Sequence, residues 1–155
     1  MKEILVTYFS AEGTTKRKAE EIAEILNADI VEIAPLVKYT SEDLNWRNRL
    51  SRSSIEMQDE RCRPQIKKIN LQISDYKTVL IGYPIWWGVE PREVDTFLDT
   101  YDLSKCKIVL FATSGGSPIN ESVKHIKSNY SSLNIVSTYL ANFNLDKKEI
   151  EDLVK

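Results

Sequence analysis

ILVTYFSAEGTT, residues 4–15, is the stretch on which the reading of the fold turns. Residues 4–9 run apolar with no polar alternation beyond Thr7, the pattern of a strand buried on both faces. The run stops at Ser10, passes through Gly13, and gives way to a different periodicity. Over residues 14–27, Ala19, Ile22, Ala23 and Leu26 recur at i, i+3, i+4 and i+7, which predicts a helix with one apolar stripe. A buried strand, a short loop and an amphipathic helix together form half of a βαβ unit.

The same alternation continues along the chain. Residues 30–33 make a second short strand and TVLIGY, residues 78–83, a third. Glu90-Pro91 then opens a helix with Pro at its first position, striped by Val94, Phe97, Leu98 and Tyr101. KIVLFA, residues 107–112, is a fourth strand. Ser117-Pro118 reads as a cap and a first-turn proline for a helix carrying Ile119, Val123, Ile126 and Tyr130. Residues 134–139 form a weaker fifth strand, and residues 146–154 a closing helix. Strands alternating with helices specify an α/β fold: a doubly wound parallel sheet with helices on both faces. A length of 155 residues fits one domain spanning residues 1–155.

Residues 34–76 interrupt the pattern. Thr40 and Asp43 have the spacing of a capping box for a helix from Ser41, and the stretch to Glu60 is polar, with Arg47, Arg49 and Arg52. The expectation is a loosely packed helix with irregular flanks, in which Tyr39, Asn45 and Trp46 either lie over a ligand or form a partner surface, the plainer reading of Trp46 being core. Connections this long are often lids or binding loops.

Charge excludes several classes. Lys plus Arg total 21 against 23 Asp plus Glu, a net charge of −2, so the chain lacks the basic excess of a nucleic-acid binder. No stretch reaches the length of a membrane span, and the apolar run at the N-terminus is too short for a signal peptide, so a cytoplasmic protein is expected. Cys62, Cys106 and His125 show no ligand spacing, and no metal is expected. Cys62 lies between Arg61 and Arg63, and cationic neighbours can lower a thiol pKa. The plainer reading is an ordinary reduced thiol.

In doubly wound sheets ligands bind beyond the carboxyl ends of the strands, where strand order reverses. Three loops fall there. SAEGTT, residues 10–15, supplies the hydroxyls of Ser10, Thr14 and Thr15, a glycine and the amides of a helix N-terminus. Unpaired amides and the positive end of the dipole attract anions, and the loop suits a phosphate. One hydroxyl would serve for simple capping. Tyr8 stands where a Walker A loop needs its first glycine, and no G-x-G-x-x-G is present, so the phosphate belongs to a mononucleotide.

PIWWG, residues 84–88, follows the third strand. Trp86 and Trp87 either pack on the following helix or stand ready to stack on a flat ligand, and adjacent loop residues seldom point the same way. TSGGS, residues 113–117, follows the fourth strand; its two glycines make a tight turn or let backbone approach a ligand.

These three loops, in this order, resemble the flavodoxin family, nearest the branch with Pro-Ile-Trp-Trp-Gly and Thr-Ser-Gly-Gly segments. The resemblance covers nearly the whole chain. It implies a five-stranded sheet in the order 2-1-3-4-5 and one noncovalent FMN. By position, Ser10, Gly13, Thr14 and Thr15, with the amides of Ala11 and Glu12, would hold the phosphate. Pro84 and Ile85 would border the ribityl chain and ring, and Trp86 and Trp87 would flank the isoalloxazine. Thr113, Ser114, Gly115 and Gly116 would close its other edge. Gly88 leaves the Trp87–Gly88 peptide free to turn over beside the ring.

Two departures stand out. Glu12 and Thr14 replace the Thr and Asn of the family's Ser/Thr-x-Thr-Gly-Asn-Thr loop. The net charge also lacks the strong acidity of flavodoxin electron carriers, which implies a less negative potential. A receiver domain shares the topology, but Pro84 occupies its aspartate position. Three functions follow from the resemblance: an electron-transfer protein with a redox partner protein or a small acceptor such as a quinone; an FMN-dependent NAD(P)H:quinone-type oxidoreductase; or a non-redox binding module on the same fold.

Overall fold

The computed structural model describes residues 2–155. Five strands, β1 (Ile4–Tyr8), β2 (Asp29–Glu32), β3 (Thr78–Pro84), β4 (Lys107–Thr113) and β5 (Asn134–Leu140), form one sheet in the order β2-β1-β3-β4-β5. All four pairings are parallel. The order reverses between β1 and β3, so their carboxyl ends define the crevice.

Burial explains the strand sequences. β3 and β4 are central and read as continuous apolar runs because both faces are covered. Successive side chains leave on opposite faces. On one face Leu5, Phe9, Ile81, Tyr83, Ile108 and Leu110 pack with Val94, Phe97 and Ile126 of α3 (Arg92–Thr100) and α4 (Asn120–Asn129). On the other, Val6, Leu80, Val109 and Phe111 meet Ala19, Ile22 and Ile150 of α1 (Thr14–Leu26) and α5 (Lys147–Leu153). Gly82 has a particular reason to be glycine. It pairs with Phe111, and a Cβ there would lie 2.1 Å from that ring.

The remaining helix, α2 (Arg52–Gln58), is not where the capping signal put it. Thr40 and Asp43 do form a reciprocal box, Thr40 N–H to Asp43 Oδ2 at 2.9 Å and Asp43 N–H to Thr40 Oγ1 at 3.1 Å. It closes a turn rather than a helix, and Ser51 caps α2 instead. Trp46 is not core: it is 66% exposed. Two further boundaries differ. Pro91 is the N-cap of α3, with extended backbone, and α4 begins two residues beyond Pro118 with Ile119 as a cap that offers no side-chain oxygen. Among the described residues no helix is long and apolar enough to cross a membrane.

Candidate functional site

One cavity of about 340 Å³ opens at the carboxyl edge of the sheet. Ser10, Ala11, Glu12, Thr14 and Thr15 line it from the β1–α1 loop, Pro84, Ile85 and Trp86 from the β3 loop, and Thr113, Ser114 and Gly115 from the β4 loop. Three segments far apart in sequence thus meet at the crevice. Gly13, Trp87, Gly88 and Gly116 do not line it. Gly13 and Gly116 shape the loops from behind, with φ of 95° and 150°, while Trp87 and Gly88 lie at the tip of a turn.

In the first loop, Gly13 is the N-cap of α1 in left-handed conformation and brings no capping side chain. The leading amides of the helix therefore face the loop without a side-chain partner, the arrangement that favours an anion. Two of the loop's hydroxyls also serve the protein. Ser10 Oγ accepts from Gly13 N–H at 3.0 Å, tightening the turn. Thr15 is buried, with its Oγ1 2.8 Å from Thr113 Oγ1, which clamps the first loop to the third. The third loop is tied to the second as well, through Ile85 N–H to Thr113 O at 2.9 Å. The cavity walls are hydrogen-bonded to one another before any ligand arrives.

The tryptophans divide. Trp86 N–H donates to Val89 O at 2.9 Å and Val89 N–H to Trp86 O at 3.1 Å, enclosing Trp87 and Gly88 in a two-residue turn. Both have positive φ, 50° and 83°, the signature of a type I′ turn. Trp86 lines the cavity and is braced from within: it stacks on Tyr39, with centroids 5.5 Å apart at 27°, and meets Phe9 edge-on at 5.5 Å. Trp87 points out and is 51% exposed.

Three lining residues escaped the sequence reading. Lys18 is one turn along α1 from Thr14, and its Nζ donates to Phe143 O at 2.9 Å. Ala141 and Asn142 follow β5. Asn142 Oδ1 accepts from Ser114 N–H at 2.8 Å and its amide donates to Ser114 Oγ at 3.1 Å, fixing the glycine loop. The available signal was positional: the loop after β5 ends at the same edge as the other three. The cavity's charged lining is one acid, Glu12, and one base, Lys18.

Two polar clusters built on buried carboxyls lie outside the cavity lining. In the first, the Tyr39 hydroxyl bonds both Glu56 and Glu93. One hydroxyl hydrogen cannot serve two carboxylates, so a carboxyl proton must be present. Burial raises Glu93 to about 7, which favours its holding that proton, and burial also raises the Tyr39 phenol. Arg52 sits over the Tyr39 ring at 3.7 Å and bonds Glu56 at 3.2 Å. In the second cluster, His125 joins Glu90 through Nδ1 at 2.7 Å and Glu60 through Nε2 at 2.9 Å. The Glu90 hydrogen bond lifts its pKa to about 9, while burial and then Glu90 lift Asp95 to about 8. Cys62 has its thiol pKa raised, by burial first, so its arginine neighbours do not activate it.

Comparison with known proteins agrees with this fold. The sequence model of the flavodoxin family matches residues 3–155. The fold superposes on the crystal structure of a candidate flavoprotein from Bacteroides eggerthii with a TM-score of 0.94, at 45% identity over 98% of this chain and 97% of that one. A second, from Bacteroides uniformis, gives 0.91 at 38% identity over 97% and 96%. A flavoprotein from Lactobacillus acidophilus, crystallised in complex with FMN, gives 0.77 at 25% identity over the full length of both chains. No curated protein matches the sequence.

Proposed function

Because the chain belongs to the flavodoxin family, we propose that it binds one FMN noncovalently in the carboxyl-edge cavity and acts in electron transfer, with a redox partner protein or a small acceptor such as a quinone. The observation that carries this reading is the pairing, in one cavity, of an uncapped helix N-terminus with the indole of Trp86. The first suits a phosphate and the second a planar ring. A cavity of about 340 Å³ is in the range of cofactor sites, and the FMN complex of the Lactobacillus relative supports the identity of the flavin.

The chain's own residues divide the work. Ser10, Thr14, Thr15 and the amides from Ala11 onward would hold the phosphate, with Lys18 adding a positive charge to balance Glu12. Pro84 and Ile85 would border the ring system, Trp86 would stand against it, and Thr113, Ser114 and Gly115 would close the far edge, with Gly116 turning that loop. Trp87 and Gly88, at the tip of the turn outside the cavity lining, would stand at its rim rather than against the ring. FMN supplies the capacity to exchange one or two electrons. The balanced charge around the cavity implies a potential less negative than in a strongly acidic flavodoxin, which redox titration reads directly.

The test is colour and fluorescence. Purified protein should be yellow or should quench FMN fluorescence on titration, saturating at one flavin per chain. A colourless protein that leaves FMN fluorescence unchanged would overturn the reading in favour of a non-redox binding module. The oxidoreductase reading is favoured by one feature, the open aromatic rim beside the cavity. NAD(P)H consumption that requires added quinone would establish it over a carrier.

A further inference from the structure

Beside the cavity lies a groove of about 590 Å³ lined by Trp46, Arg47, Arg49, Ser54, Gln58 and Trp87. It is not isolated. Trp46 and Arg47 also line an adjoining groove that reaches Glu12, and Glu12 lines the cavity. Trp86 and Trp87, adjacent in sequence, stand one in the cavity and one in the groove. The groove thus connects to the cavity mouth through the adjoining groove, where the acids Glu12 and Glu42 stand.

Its chemistry is specific. Two indoles are more than half exposed, and neither forms an aromatic pair among the described residues. Trp87 is held out by a left-handed backbone, φ 50°, a conformation that costs a non-glycine residue roughly 1–2 kcal/mol. Asn or Gly would take that place in the turn without strain. Arg47 lies over the Trp46 ring at 5.1 Å. The guanidinium groups of Arg47 and Arg49 enter no ion pair or hydrogen bond among the described residues, whereas Arg52, Arg63 and Arg92 are each engaged with carboxylates. No acidic side chain lines the groove. Flat apolar faces flanked by guanidinium groups without a carboxylate partner match a ring that carries negative charge.

We propose that this groove binds small planar aromatic anions, rings bearing a carboxylate, sulfonate or phosphate, and that it is the subsite for the electron acceptor or donor. This rests on the flavin reading and names its substrate class. Trp46 and Trp87 supply stacking surface and Arg47 and Arg49 the charge. An acidic segment of a protein partner is a weaker match, because two exposed indoles favour a rigid ring over a carboxylate-bearing chain.

A redox-inert probe separates the groove from the flavin. Naphthalene-2-sulfonate is titrated into the full chain, with and without FMN, and followed through the indole N–H resonances of its three tryptophans, assigned with Trp46→Phe and Trp87→Phe. The expected result is movement of the Trp46 and Trp87 signals, with Trp86 unmoved. Arg47→Gln/Arg49→Gln should weaken binding at least fivefold, and uncharged 2-naphthylmethanol should bind at least fivefold more weakly than the sulfonate. Movement of Trp86 alone, or equal binding of the charged and uncharged rings, would overturn the proposal. So would displacement of the sulfonate by hexaglutamate at comparable concentration, which would assign the groove to an acidic chain. FMN titration is read separately. Loss of flavin binding with intact groove binding would remove the acceptor role and the function proposed above, and leave an aromatic-anion site.

Discussion

The ring of Tyr39 stands between a charge and a cavity wall. Arg52 covers one side of it at 3.7 Å, and Trp86 stacks on it at 5.5 Å. Tyr39 therefore fixes the indole of Trp86, a cavity-lining residue, and its hydroxyl fixes Tyr39 through Glu56 and Glu93. Two substitutions separate the two roles. Tyr39→Leu removes the stack and should weaken FMN binding by about 3- to 10-fold, the size of one aromatic pair. Tyr39→Phe keeps the stack but strands two buried carboxyls, so it should lower unfolding stability by about 2 kcal/mol while changing FMN affinity little. Urea melts and flavin titrations of both variants check this.

The charges at the cavity are Glu12 and Lys18, one of each sign. A carboxylate beside a phosphate is repulsive and an ammonium is attractive. Glu12→Gln should tighten FMN binding about 3- to 10-fold, and Lys18→Met should weaken it by a similar factor. Riboflavin, which lacks the phosphate, should respond to neither substitution. Equal effects on FMN and riboflavin would place these side chains away from the phosphate.

Stability should fall as the solution becomes alkaline. Glu93 is raised from 4.5 to about 7, Asp95 from 3.8 to about 8 and His125 from 6.5 to about 9. In each case the folded state holds its proton more tightly than the unfolded chain. The stabilisation is complete below the unfolded value and is lost as pH rises through the folded one. His125 faces Glu90 and Glu60, with Asp95, Arg92 and Arg63 around them, and its share should vanish between about pH 6.5 and 9. Denaturant melts should show this decline. His125→Gln should cost on the order of 2 kcal/mol at pH 6 and little at pH 9.5.

Gly82 is a packing prediction. A Cβ at 2.1 Å from the Phe111 ring has no room in the middle of the sheet. Gly82→Ala should cost about 2–3 kcal/mol by forcing that ring aside, and Gly82→Ala/Phe111→Leu should recover part of it. Thermal unfolding of the single and double variants measures the coupling.

Most of the architecture was legible because it depends on local periodicity. Residues 4–9, 78–83 and 107–112 announce buried strands within a residue of their observed ends, and the three loops after them meet where the topology demands. What was not legible is tertiary. Asn142 joins the site through a bond to Ser114, 28 residues away, and Lys18 through where its helix points. The capping box at Thr40 formed without a helix because the apolar stripe beyond it was too poor to dock one. Cys62 shows the limit of neighbour arguments: Arg61 and Arg63 flank it in sequence, yet burial and the carboxylates of Glu56 and Asp59 govern its thiol.

Trp87 joins stability to function in one residue. Its φ of 50° is strained for an indole, and its ring is half exposed, so little packing offsets the strain. Trp87→Asn suits the type I′ turn and should stabilise the fold by about 1 kcal/mol. The same change removes one face of the outer groove, so naphthalene-2-sulfonate binding should fall at least threefold. FMN affinity should hold, because Trp86 and the loop hydroxyls are untouched. A variant that gains stability and keeps full affinity for the sulfonate would leave the strained indole without a role in the groove. A variant that loses FMN instead would move Trp87 into the flavin's own wall.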